Sequence, residues 1–236
     1  MQTTELDPSL SAALQKAGAD GLLLVIANKN YSSWSMRPWV AMTAFGIPFK
    51  ELKILLRQAD TANRIGRYSA SGRLPILMVG ETAIWDSLAI CEYLAEQFPD
   101  LGMWPQDMLA RATARSICAE MHSGFAALRS DMPMDIRTNK PGYGRTAGAQ
   151  ADIARVVEIW ETCLSEFGHH QFLFGAFSIA DAYFAPVVMR FRSYGVSLAP
   201  ALQAYAERVQ AHPAVARWMQ EALAETEILP DAVPPD

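Results

Sequence analysis

Strand-length apolar runs occur only ahead of Asp86, and from Met108 onward every apolar pattern repeats at helical spacing. That division confines the chain to an α/β half followed by an all-α half. Leu22-Leu-Leu-Val-Ile26 reads as a buried strand, and residues 35–45 as an apolar helix that stops at Gly46. Residues 49–55 form a second strand, parallel to the first because a helix joins the two. The polar stretch 57–72 reads as a loop with a short helical turn. Residues 75–79 and 82–85 are short apolar runs separated by Gly80-Glu81, which signals a hairpin. Residues 87–98 form a helix with Asp86 or Ser87 as its N-cap. The order is strand-helix-strand, then strand-strand-helix.

Residues 99–107, with two prolines and a glycine, read as a linker between a first domain at 21–101 and a second at 108–228. In the second, residues 108–131 carry a helical stripe at Ile117, Met121, Phe125 and Leu128. A loop over 132–148 leads to a long helix at 150–167. A connection over 168–177 then leads to a helix at 179–191 that is apolar nearly all round and therefore buried, with Pro186 expected to kink it. Two shorter helices follow, at 200–211 and 213–224. The first twenty residues carry acids early and read as an exposed leader, and the tail from Pro230 should fray.

A formal net charge of −5 argues against a general nucleic-acid binder. No apolar run reaches the roughly 18 residues a membrane helix needs. Cys91, Cys118 and Cys163 are far apart, without Cys-x-x-Cys or zinc spacing. They read as buried free thiols in a reducing cytosol. No histidine or acid gives metal spacing either, since the adjacent pair His169-His170 sits in a loop with side chains pointing apart.

Four places carry chemistry. The stretch Asn30-Tyr-Ser-Ser-Trp-Ser-Met-Arg-Pro-Trp39 puts serines where a strand hands over to a helix, whose first N–H groups are unpaired and whose dipole is positive there. Such a place suits an anion, or else Ser33 or Ser35 simply caps the helix. Pro38 fits easily if the helix starts at Ser35 and costs a hydrogen bond if it starts at Ser33. Leu74-Pro75 heads a strand. A cis bond there would present the Leu74 backbone to an extended peptide ligand, while a trans bond would make it an ordinary edge-strand proline. At Asp86-Ser87 the hydroxyl and helix N–H groups suit a carboxylate and the Asp86 side chain suits an ammonium, with capping as the alternative. His122, Phe125 and Arg129 recur at helical spacing, so one face could look onto a pocket that Met121, Met132 and Met134 would complete with adaptable apolar surface. Ser178-Ile-Ala-Asp181, by contrast, is a capping box that starts the buried helix and does no chemistry.

Taken in this order, the serines at a helix start, Leu-Pro at a strand head, Asp-Ser at a second helix start and a Ser-x-x-Asp box in a helical half resemble the glutathione S-transferase superfamily, from Leu22 to about Ala224. Ser32-Ser-Trp-Ser-Met-Arg-Pro-Trp-Val-Ala-Met42 is most similar to the zeta-type motif Ser-Ser-Cys-x-x-Arg-Val-Arg, with Trp34 in place of its cysteine and Pro38-Trp39 in place of its Val-Arg. The resemblance implies a thioredoxin-like first domain that binds glutathione as co-substrate and an all-α second domain that completes the pocket. It implies Ser32 or Ser33 at the glutathione sulfur, Leu74 beside cis-Pro75 at the cysteinyl unit, and Asp86 and Ser87 at the γ-glutamyl end. Met121, His122, Phe125 and Arg129 would then face a small hydrophobic electrophile. The expected protein is a cytoplasmic homodimer and a transferase. The same scaffold also serves isomerases, peroxidases, thiol reductases and non-catalytic binding domains. Of the two serines Ser32 is expected at the sulfur, because the zeta-type resemblance puts the first serine there and because Ser32 lies outside the helix with no capping duty.

Overall fold

A computed structural model describes residues 21–167 and 171–229. The expectations for the first twenty residues, for His169-His170 and for the tail lie outside the described residues. Four strands, β1 (Leu22–Ile26), β2 (Lys50–Lys53), β3 (Ile76–Val79) and β4 (Thr82–Trp85), form one mixed sheet in the order β2-β1-β3-β4. β1 runs parallel to β2 and antiparallel to β3, with Leu24 opposite both Glu51 and Leu77. β3 and β4 form the hairpin, with Leu77 opposite Ile84. Alternate side chains of β1 serve opposite faces. Leu22, Leu24 and Ile26 join the main core, while Val25 joins a smaller cluster with Ile54, Ile65 and Ile76. Helices α1 (Ser33–Ala44) and α3 (Ser87–Gln97) pack on the first face, and α2 (Thr61–Gly66) brings Ile65 to the second. This is a thioredoxin-like layer.

A 3-10 turn at Pro99–Leu101 precedes the helical region. It comprises α4 (Met108–Ser123), α5 (Ala126–Asp131), α6 (Ala147–Glu166), α7 (Ile179–Ser193), α8 (Pro200–Ala211) and α9 (Pro213–Leu223). α7 is buried along almost its whole length and packs against α1 and α4, so the two layers share one core. Its capping box is formed. The Asp181 carboxylate accepts from the Ser178 N–H at 2.9 Å, and the Ser178 hydroxyl accepts from the Ala180 N–H at 3.2 Å. No described helix is long and apolar enough to cross a membrane.

The single helix expected over 108–131 is two. α4 ends at Gly124, where a Cβ would stand 2.9 Å from the Glu120 carbonyl oxygen, and Phe125 takes a left-handed φ of 58°. Partners outside the helical ladder hold the break. The Asp152 carboxylate accepts the Leu128 N–H at 2.8 Å, and the Arg129 guanidinium donates to the carbonyls of Met121 and Gly124. Helical periodicity carries no information about such partners. The first helix begins at Ser33 rather than Ser35, so Pro38 lies inside it and has no N–H for the carbonyl four residues back.

Candidate functional site

A cleft of about 1090 Å³ opens between the sheet layer and the helices. Ser32, Ser33, Leu74, Pro75, Asp86 and Ser87 all line it, as do His122 and Arg129 from the helical region. Met121 and Phe125 do not. They are 2% and 7% exposed and belong to the core. Met121 sits one helical position, about 100° round α4, from His122, and Phe125 lies beyond the break after Ser123. The sequence did not single out Tyr31, Arg73, Trp85, Pro133 or Arg190 for this cleft, nor Tyr183 beneath it. Arg190 had a signal in the sequence, as a cation inside the otherwise apolar run over 182–191.

The turn before the serines is held from far along the chain. The Glu225 carboxylate accepts the N–H groups of Lys29 and Asn30 at 2.8 and 3.0 Å, and the Asn30 amide donates to Asp135 at 2.7 Å. Ser32 is the N-cap of α1, its oxygen accepting from the Ser35 N–H at 3.3 Å. The premise that Ser32 has no capping duty is therefore wrong, because a helix that starts at Ser33 makes the residue just outside it the N-cap. The duty does not remove Ser32 from the chemistry. A cap uses the oxygen's lone pair, whereas an anionic ligand needs the proton. The Ser32 and Ser35 hydroxyls are 2.8 Å apart, and the Ser35 oxygen accepts from the Ala27 N–H at 3.1 Å. In that pair Ser32 is the donor and the Ser35 oxygen the acceptor. Hydroxyls rotate, so the Ser32 proton can turn from Ser35 to an anion in the cleft. The Ser33 oxygen accepts from the Arg190 guanidinium at 3.3 Å and likewise keeps its own proton.

The Leu74–Pro75 peptide is cis. Asp86 has a φ of 80° and ψ of 133°, a conformation L-residues rarely adopt, and its carboxylate accepts the Leu88 N–H at 2.8 Å as the cap of α3. Ser87, the first residue of α3, is buried with its hydroxyl 2.9 Å from that of Tyr183. His122 reaches across from α4, with Nε2 3.1 Å from the Asp86 carboxylate and Nδ1 3.2 Å from the Tyr183 hydroxyl.

The floor is cationic. Arg37 is fully buried, stacked between the rings of Trp34 and Tyr183 at 4.3 Å from each, and its three guanidinium nitrogens have no hydrogen-bond partner among the described residues. The Tyr183 hydroxyl is directed at Ser87 and His122, so it is the ring that meets Arg37. Arg129 lies over the other side of Trp34 at 4.6 Å. Burial first, and the neighbouring guanidiniums second, pull Arg129 down to about 10 and Arg190 down to about 9. No ion pair joins any of these three arginines to a described carboxylate. His122 is also pulled down, first by burial and then by Arg37 and Arg129, against an upward pull from Asp86. The three cysteines are buried free thiols, all pushed up chiefly by burial, Cys163 to about 12, so none is a ready thiolate. Among the described residues no group of three histidine, cysteine or acidic side chains could hold a metal ion.

A sequence model of the glutathione S-transferase N-terminal domain matches residues 31–97, and one of the C-terminal domain matches residues 143–221. A probable maleylacetoacetate isomerase of Caenorhabditis elegans is 25% identical over 169 residues, which cover 71% of this chain and 78% of that protein. A probable maleylacetoacetate isomerase 2 of Drosophila melanogaster is 27% identical over 172 residues, 72% of this chain and 74% of that one. Among solved structures, a glutathione transferase homolog from Burkholderia GL BGR1 with bound glutathione superposes with a TM-score of 0.66 at 24% identity, over 86% of this chain and 99% of that one. A sphingomonad glutathione S-transferase complexed with glutathione gives 0.64 at 23% identity, over 86% and 100%. At these identities the two structures speak for the fold.

Proposed function

Because the chain belongs to the glutathione S-transferase superfamily, we propose that it is a glutathione transferase of the serine type. The reading divides it into a glutathione-binding domain at 21–101 and a helical domain at 108–228 that closes the cleft. The observation that carries it is convergence. Residues from three separate elements, Ser32 and Ser33 at the start of α1, Leu74 ahead of β3, and Asp86 and Ser87 at the start of α3, line one cleft of about 1090 Å³. Leu74 pairs its backbone with the cysteinyl unit of glutathione. Asp86 takes the γ-glutamyl ammonium, and Ser87 with the α3 amide groups takes its carboxylate.

The chemistry needed is deprotonation of the thiol. A free thiol has a pKa near 8.5, so only a few per cent is thiolate at neutral pH. A hydrogen bond from Ser32 to the sulfur contributes about 1.5–3 kcal/mol, equivalent to one to two pKa units. The dipole of α1 adds a few tenths to about 1 kcal/mol. The thiolate then attacks an electrophilic carbon, forming the C–S bond as the leaving group departs with its electron pair. No serine is the nucleophile, since among the described residues no histidine is hydrogen-bonded to Ser32 or Ser33 to take its proton. Three buried free thiols suit a reducing compartment, which fits the cytoplasm.

One observation favours a second reading. Arg129 and Arg190 face the cleft without carboxylate partners, and two relatives are named for isomerising a substrate whose name marks it as an acid. A glutathione-dependent isomerase of an anionic substrate would use the same thiolate for transient addition to a double bond. Turnover with glutathione against a panel of aryl halides, peroxides and unsaturated acids, on protein first shown to bind immobilised glutathione, decides between them. Transfer to aryl halides supports the first reading, and isomerisation of unsaturated acids alone supports the second. Protein that neither binds glutathione nor turns over any substrate would refute both.

A further inference from the structure

The start of α3 is tied to the helical region by four side chains in series. The Asp86 carboxylate lies 3.1 Å from His122 Nε2, His122 Nδ1 lies 3.2 Å from the Tyr183 hydroxyl, and that hydroxyl lies 2.9 Å from Ser87 Oγ. Asp86 and Ser87 precede and open α3, His122 is on α4 and Tyr183 on α7, so the series closes a ring across the cleft.

Its proton count fixes its sense. With a neutral imidazole, Nε2 carries the proton and donates to the Asp86 carboxylate. Nδ1 is then an acceptor and takes the Tyr183 proton. The Tyr183 oxygen accepts from Ser87, so the Ser87 proton points inward, away from the cleft. One added proton reverses the far end. Nδ1–H now donates to the Tyr183 oxygen, Tyr183 donates to Ser87, and the Ser87 proton is released toward the cleft. A carboxylate arriving at Ser87 needs that donor, and without the added proton it would leave the buried Ser87 and Tyr183 oxygens 2.9 Å apart with no proton between them.

The groups facing His122 set the balance. Asp86 favours the imidazolium, Arg37 on α1 and Arg129 on α5 oppose it, Tyr183 on α7 can satisfy either form, and the Trp34 ring meets the imidazole edge-on at 5.1 Å. With burial added, His122 is held below its ordinary range and so neutral at pH 7. A γ-glutamyl end brings an ammonium to Asp86 as well as a carboxylate to Ser87, so it is the donor sense required at Ser87, not net charge, that calls for the added proton.

We propose that His122 is a positioning residue that sets the donor sense of Ser87 through Tyr183, so that seating a γ-glutamyl carboxylate at Ser87 takes up one proton from solvent at His122. This rests on the reading of Asp86 and Ser87 as the γ-glutamyl site. It moves His122 from the electrophile's side of the cleft to the glutathione side.

S-methylglutathione, which has no thiol to ionise, isolates the step. Its binding to the full chain is followed calorimetrically at pH 7.2 in buffers of different ionisation enthalpy, whose slope counts protons. The expected slope for the native protein is an uptake of one half to one proton, with affinity falling as pH rises from 6 to 8 by up to tenfold per unit. His122→Gln, which keeps a donor toward Asp86 but cannot titrate, should show no uptake and a flat profile. Tyr183→Phe keeps the stacked ring and the histidine yet cuts the series, and should lose the uptake as well. Tight binding with no proton uptake in the native protein overturns the relay and leaves the glutathione reading standing. Uptake that survives in both variants also overturns it. Absence of S-methylglutathione binding to the native protein overturns the γ-glutamyl reading and the relay together.

Discussion

Replacing Ser32 with alanine tests the thiolate mechanism most directly. In the structure the Ser32 oxygen receives the Ser35 N–H at 3.3 Å and faces the Ser35 hydroxyl at 2.8 Å, and Ser35 is itself held by the Ala27 N–H. The Ser35 N–H holds the Ser32 oxygen at the cleft, and the Ser32 proton, given to the Ser35 oxygen here, turns to the thiolate when glutathione binds. Losing one hydrogen bond to an anion removes about 1.5–3 kcal/mol, which raises the pKa of the bound thiol by one to two units. Turnover at neutral pH should therefore fall roughly ten- to a hundredfold and recover toward the native value above about pH 9, where even an unassisted thiol ionises. Glutathione affinity should change little, because Leu74, Asp86 and Ser87 remain. The cap bond is long, so stability should fall by only about 0.5–1 kcal/mol. Ser33→Ala should do less to the pH profile, since the Arg190 cation and the helix start stay in place. The assay is thiolate absorbance and turnover against pH for both variants. An unchanged midpoint in Ser32→Ala would refute the mechanism. A midpoint moved by Ser33→Ala alone would transfer the role to Ser33 and its Arg190 partner.

Asp181→Ala should damage folding rather than turnover. It strands the buried N–H groups of Leu173 and Ser178 and the hydroxyl of Tyr205, a loss of about 3–5 kcal/mol that chemical denaturation can read. Burial holds Asp181 up to about 6, against an ordinary 3.8, despite those hydrogen bonds. Between these values the folded state keeps a proton the unfolded chain has released, so native stability should fall as pH rises from about 4 to 6, and Asp181→Asn should lack that component. Gly144→Ala should cost about 3 kcal/mol, since φ is +66° and a Cβ would stand 2.1 Å from the Asp131 carbonyl oxygen; an unchanged thermal melt would refute this. The native chain should sediment as a homodimer at micromolar concentration, and a particle near the 26.0 kDa chain mass would count against it.

Local physics makes much of this protein legible in its sequence. The apolar runs at 22–26, 75–79 and 82–85 correspond to β1, β3 and β4, because a strand's side-chain alternation and its turn residues are properties of neighbours in sequence. The start of α7 was equally readable, since Ser178 and Asp181 satisfy each other within one turn. Tertiary structure decided the rest. Where α1 begins depends on Glu225 holding the turn at Lys29 and Asn30, nearly two hundred residues away, and that start made Ser32 a cap. The break at Gly124 and Phe125 depends on Asp152 and Arg129, and it turned Phe125 into the core while Arg129 stayed at the cleft. Tyr183 and Arg190 join the site only because α7 packs under α1. A helical stripe specifies which residues share a face, but which face meets which partner is set by packing, and packing is a property of the whole chain.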